Sequence, residues 1–153
     1  MKRQHDECRA WLESYRELKT EAYRLEQRHM RLMTQATRIT SRWSAVPGGG
    51  ERDGEKLLAA LADSDDEAVR GYHKAKERMR EIEEFIDSLP TQNSRIILRL
   101  RYVELYRWQE IERILPRSHI YYSMQHIYDL HGAALTEARR EWNKRKEKDN
   151  ARP

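Results

Sequence analysis

Residues 95–138 read RIILRLRYVELYRWQEIERILPRSHIYYSMQHIYDLHGAALTEA, and the spacing of their apolar positions decides the fold. Ile96, Ile97, Leu100 and Val103, with Tyr102 near the end, mark the buried face of a short helix flanked by Arg95, Arg99 and Arg101. Glu104-Leu105-Tyr106 joins it to a second short helix, in which Trp108, Ile111, Ile114 and Leu115 face inward and Pro116 closes the run. Ser123 is a good N-cap for a third helix with Ile127, Leu130, Ala134, Leu135 and Ala138 on its inner side. Gly132, Ala133 and Ala134 are small enough to let that helix approach a neighbour closely. Three short helices with a turn before a capped third one are the pattern of a helix-turn-helix.

Upstream of this stretch the chain has the marks of long helices. Trp11, Tyr15, Leu18, Ala22, Leu25, His29, Leu32, Ala36, Ile39 and Trp43 alternate at intervals of four and three, a heptad seam that only His29 interrupts. Asp6 or Glu7 can open that helix, and Val46-Pro47-Gly48-Gly49-Gly50 ends it. A second helix is expected from about Gly54-Glu55 toward Ser88, in two pieces: Leu57, Leu58 and Leu61, then an acidic break over 62–67, then Val69, Tyr72, Ala75, Met79, Ile82, Phe85, Ile86 and Leu89. Pro90 stops it, and Thr91 or Asn93-Ser94 can cap the next helix. The expected fold class is all-α: a coiled-coil-like helical hairpin over 1–89 with a glycine-rich loop at 46–54, a helix-turn-helix domain over 90–142, and a basic disordered tail over 143–153. A two-helix hairpin buries little surface, so the hairpin is expected to oligomerise.

Charge separates the halves. Residues 95–153 hold 13 Lys+Arg against 8 Asp+Glu, and residues 1–94 hold 17 against 18, so the positive excess lies in the half that carries the three short helices. A basic half points to a polyanionic partner. One cysteine, Cys8, permits no intrachain disulfide, and no apolar run approaches the ~20 residues of a membrane span, so a cytoplasmic protein without membrane contact is expected. His119, His126 and His131 have no cysteine or carboxylate cluster beside them to complete a metal site, and Gly48-Gly49-Gly50 lacks the Lys-Ser/Thr of a phosphate-binding loop. No catalytic constellation stands out. No enzyme activity, cofactor or metal is expected.

Leu100-Arg101-Tyr102, then Trp108-Gln109-Glu110-Ile111, then Ser123, then Ala134-Leu135 resemble sigma-factor region four. The variant they resemble is carried by phage and prophage transcriptional regulators of Gram-positive bacteria. The run from Tyr122 through Gly132 is similar to that variant's recognition helix, and the long helical segment broken by Val46–Gly50 has its counterpart there too. The likeness is close over 95–138 and loose over the rest. The turn at 116–121 is longer than the family's, and the third helix has no Lys or Arg from Met124 to Ala138 but does carry Asp129.

The resemblance implies a sequence-specific DNA-binding regulator of phage or prophage genes. Its candidate base contacts are Met124, Gln125, His126 and Tyr128, at the start of the recognition helix. Its candidate phosphate contacts are Arg117, Ser118, Tyr121, Ser123, Arg139, Arg140 and Lys144. Double-stranded DNA is the expected partner, with pairing of protomers compensating for weak single helices. Two alternatives remain open at this point: an adaptor that contacts RNA polymerase or another protein, and a DNA-packaging component like a small terminase subunit.

Overall fold

Asp6 opens the first helix, accepting the backbone N–H of Arg9 on its Oδ1 at 3.1 Å. The structure, a computed structural model, describes residues 6–45, 51–115 and 123–152. Among these residues there is no strand. Helix α1 spans Glu7–Ala45, α2 Glu51–Asp87, α3 Gln92–Leu98, α4 Trp108–Ile114 and α5 Met124–Asn150, with a π-helical segment at Arg99–Val103. No helix is long and apolar enough to cross a membrane among the described residues. The chain divides into two compact units, Leu18–Arg78 and the combination of Met1–Glu17 with Met79–Pro153.

In the unit Leu18–Arg78 two helical segments pair along the heptad seam. Ala22 and Leu25 are buried on α1, and Ala68 and Ala75 on α2. Leu25 meets Gly71, His29 bonds Asp65 and Trp43 meets Gly54, so residue numbers rise on one segment as they fall on the other, and the segments run antiparallel. A Cβ on Gly71 would stand 2.9 Å from Leu25 Cδ1, which is why the helices come this close here.

Helix α2 is continuous from Glu51, where the sequence pattern predicts a later start and a break over 62–67. The acidic residues do not cap a new helix. Asp63, Asp66 and Glu67 lie on its exposed face, Asp65 bonds His29, and Ala68 keeps the seam running. His29, which breaks the seam's apolar character, is thus held by a carboxylate across it. The core of this unit is thin: Tyr23, Met30, Met33 and Leu57 are each half or more exposed, Leu57 against the expected apolar stripe.

The second unit has a wider core. Leu12, Ile82, Phe85, Ile86, Leu89, Ile97, Leu98, Ile111 and Ile127 are fully enclosed, each burial stabilising by about 1.5–3 kcal/mol. Trp11 meets Phe85 edge-on at 5.3 Å and Trp142 at 4.6 Å, joining α1, α2 and α5 in one aromatic cluster. Cys8 and Leu12, outside the heptad seam, are buried because α1 is covered on more than one side here. The boundary expected at residue 89 is therefore not where the chain divides: the ends of both long helices belong to the unit of the short ones.

The first short helix changes register. Glu104 N–H donates to the Arg99 carbonyl at 2.9 Å, a five-residue step, and the buried residues follow that step from Ile97 and Leu98 to Tyr102 and Val103. This corrects the helical-period expectation: Ile96 is exposed and Leu98 is buried in its place. Helix α5 also departs from expectation. It continues to Asn150, so 143–150 are helical and not a disordered tail. Its basic end is tied down by Arg139 to Asp6 at 3.0 Å, by Arg145 to the Ser88 hydroxyl at 2.8 Å with its guanidinium over Phe85, and by Lys146 to Glu7. Gly132 and Ala133 are exposed, and a Cβ on Gly132 would meet nothing within 4 Å. Ala134 alone of the three small residues is in contact with the core.

Candidate functional site

Helix α5 starts where its sequence says it should. Ser123 has extended backbone, and its hydroxyl accepts the His126 N–H at 3.2 Å. That bond satisfies one of the orphan donors of the first turn and fixes which side chains of that turn face outward. Gln125, His126 and Tyr128 are exposed and Met124 is partly covered. Gln125 donates from its amide to Asp129 Oδ1 at 3.0 Å, one turn on, which orients the amide along the helix surface.

The same helix is anchored by rings, at the part-exposed Tyr128 and at the buried His131. Trp108, the first residue of α4, meets Tyr128 edge-on at 5.1 Å and His131 at 4.8 Å. The α4 N-terminus is itself closed by Glu110, whose carboxylate accepts the Arg107 N–H at 2.7 Å. Arg101 lies over the Trp108 ring at 4.5 Å. These contacts hold the start of α5 against α4 through side chains, and Gln125 and His126 are exposed. Helix α3 is held to α5 by Glu137, whose Oε1 accepts the Thr91 N–H at 3.1 Å and hydroxyl at 2.8 Å. Burial opposes the charge on Glu137, but hydrogen bonds from Ser94 and Thr91 outweigh it and hold the carboxyl below its usual range.

His131 is the residue that periodicity undervalues. It occupies a buried position on α5, stacked beside Tyr102 with its Nε2 3.0 Å from the phenol oxygen. Desolvation, reinforced by Arg9 and Arg101, lowers its pKa to about 4, so the ring is neutral at physiological pH. The sequence signal was present, because His131 follows Ile127 by four and precedes Ala134 by three.

Of the expected base contacts, Gln125, His126 and Tyr128 share the outer side of one helix start, with Met124 at its edge. Of the expected phosphate contacts, Arg117, Ser118 and Tyr121 fall outside the described residues, as does the long turn at 116–121. Ser123 is engaged as the cap, Arg139 pairs with Asp6, and Lys144 pairs with Glu141 at 2.7 Å. Arg140 is exposed beside them. Among the described residues no group of three or more His, Cys, Asp or Glu is placed to hold a metal. No protein-family model, curated protein or solved structure matches this chain.

Proposed function

We propose that the protein is a sequence-specific DNA-binding regulator whose reading element is the start of α5, with α4 and α5 acting as a helix-turn-helix. The observation that carries this reading is the Ser123-capped first turn: Gln125, His126 and Tyr128 are exposed, while Trp108 of α4 braces the helix through the Tyr128 and His131 rings. A braced helix start with exposed polar side chains is what base-edge recognition in a major groove requires. Gln125 suits a bidentate contact to adenine, and Tyr128 an apolar contact to a thymine methyl. The resemblance of 95–138 to sigma region four in phage and prophage regulators supports the same assignment.

Phosphate attraction supplies most non-specific affinity, and here Arg139, Lys144 and Lys146 near the far end of α5 are engaged in ion pairs on the protein's own surface. A single chain is therefore a weak binder, and the antiparallel segments of Leu18–Arg78, with their exposed Tyr23, Met30 and Met33, supply a means of pairing two. The same internal ion pairing favours one other reading, an adaptor whose α5 start meets a protein such as RNA polymerase.

Capture of sheared genomic and phage DNA at about 50 and 200 mM salt, followed by sequencing, separates the two. The regulator reading expects a discrete retained site that weakens with salt. Retention that is absent or uniform along the genome contradicts it and supports the adaptor.

A further inference from the structure

The compact unit that carries α5 also holds an open cavity of about 300 Å³, at the lower end of the range for small-molecule sites. It lies between α1, the π-helical segment, α4 and α5, and its lining is charged on one side and aromatic on the other. Arg9, Arg16 and Arg101 reach it together with one carboxylate, Glu13, which binds Arg9 Nε at 2.9 Å. Three guanidinium groups against one carboxylate leave the cavity net positive, and Arg stays charged at any physiological pH. The same field helps to hold the adjoining His131 neutral.

Arg101 is the best fixed of the three. One of its N–H groups donates to the Tyr106 carbonyl at 2.9 Å, and its plane rests on Trp108. Tyr102 and Trp108 supply ring walls.

Two backbone irregularities converge on this cavity. Arg101 and Tyr102 come from the π-helical segment, a form that is rare and often found at functional sites. Leu105, which also lines the cavity, has φ 61° and is the non-glycine residue with positive φ among the described residues. A left-handed leucine costs about 1–3 kcal/mol and persists only where the surroundings impose it. Arg101, Tyr102 and Leu105 thus reach the cavity from this irregular stretch, with Trp108 following it.

We propose that this cavity binds a small oxyanion, the phosphate or carboxylate group of a metabolite, through Arg16 and Arg101 with Trp108 and Tyr102 as its walls. Charge-assisted bonds from a fixed guanidinium suit either group, and the volume limits the ligand to a small molecule. Trp108 also touches Tyr128, so an occupant would lie one ring away from the exposed start of α5.

Isothermal titration of the full chain with pyrophosphate and, separately, with citrate tests this. Saturable binding of one molecule per chain is expected for at least one probe, pyrophosphate alone marking a phosphate-bearing ligand and citrate alone a carboxylate-bearing one. Arg16→Gln, on the exposed side of α1, and Arg101→Gln are each expected to weaken it by roughly tenfold or more. Arg113→Gln, an exposed arginine of α4 that does not line the cavity, leaves it unchanged. No saturable heat with either probe up to about 10 mM, or binding undiminished in Arg16→Gln, overturns the proposal. No DNA is present, so the result is independent of the role assigned to α5.

Discussion

Acidification should destabilise this protein through His131. The ring is buried, and its pKa falls from 6.5 to about 4 through desolvation first and the charges of Arg9 and Arg101 second. The unfolded chain therefore takes up a proton near pH 6.5 that the folded chain refuses until about pH 4. Stability from this group is fully present above pH 6.5 and is lost as the pH falls toward 4. Between pH 7.5 and 5.5 the full depression corresponds to about 1.3 kcal/mol, and to about half that once solvent reaching the ring through the cavity is allowed for.

Urea unfolding at the two pH values measures the loss directly, with tryptophan fluorescence as the probe. His131→Gln keeps a polar partner for the Tyr102 hydroxyl and removes the titration, so comparing the two proteins cancels every other group. The wild type should lose about 0.6–1.3 kcal/mol more than the variant over this window. Equal losses in the two proteins, or a wild type that gains stability relative to the variant on acidification, would refute a neutral buried His131.

Gly132→Ala should raise stability by about 0.5–1 kcal/mol, seen as a higher melting temperature, because the added Cβ meets nothing and the helix interior gains propensity. Phe85→Ala should cost about 3–5 kcal/mol in chemical unfolding, since Phe85 is fully buried between Trp11 and Trp142. A loss under about 1 kcal/mol would mean that the aromatic cluster does not hold the helix ends together. The Cys8 thiol is pushed up to about 11 by burial and then by Asp6, with Arg139 opposing, so iodoacetamide at pH 8 should leave it largely unmodified in the folded protein. Chain deletion from residue 143 should destabilise the fold, because it removes the Arg145 and Lys146 contacts to Ser88, Phe85 and Glu7. A true tail would be removed with no change in melting temperature.

The heptad seam on α1 was legible because each seam position falls on the covered side, from Trp11 through Trp43. The Ser123 cap was legible for a local reason, since the bond it makes is three residues away. What escaped depends on partners distant in sequence. Nothing near residues 139–150 says that Asp6, Glu7, Ser88 and Phe85 will meet them, so a charged, glycine-free run that looks like a frayed end is a docked helix. The continuity of α2 escaped because Asp63–Glu67 resembles a cap until His29 is seen across from Asp65. The π step escaped because period analysis assumes a constant turn, and it moved burial from Ile96 to Leu98. The cavity was hidden for the same reason, since its arginines lie about 90 residues apart in the chain.

The central claim is that the first turn of α5 reads bases. The most direct measurement is the affinity of the wild type and Gln125→Ala for the captured site and for a scrambled sequence of equal length. The account predicts that Gln125→Ala loses about 1–3 kcal/mol of discrimination between the two while its affinity for the scrambled sequence stays the same. Discrimination unchanged in Gln125→Ala would place the reading element elsewhere and contradict the account.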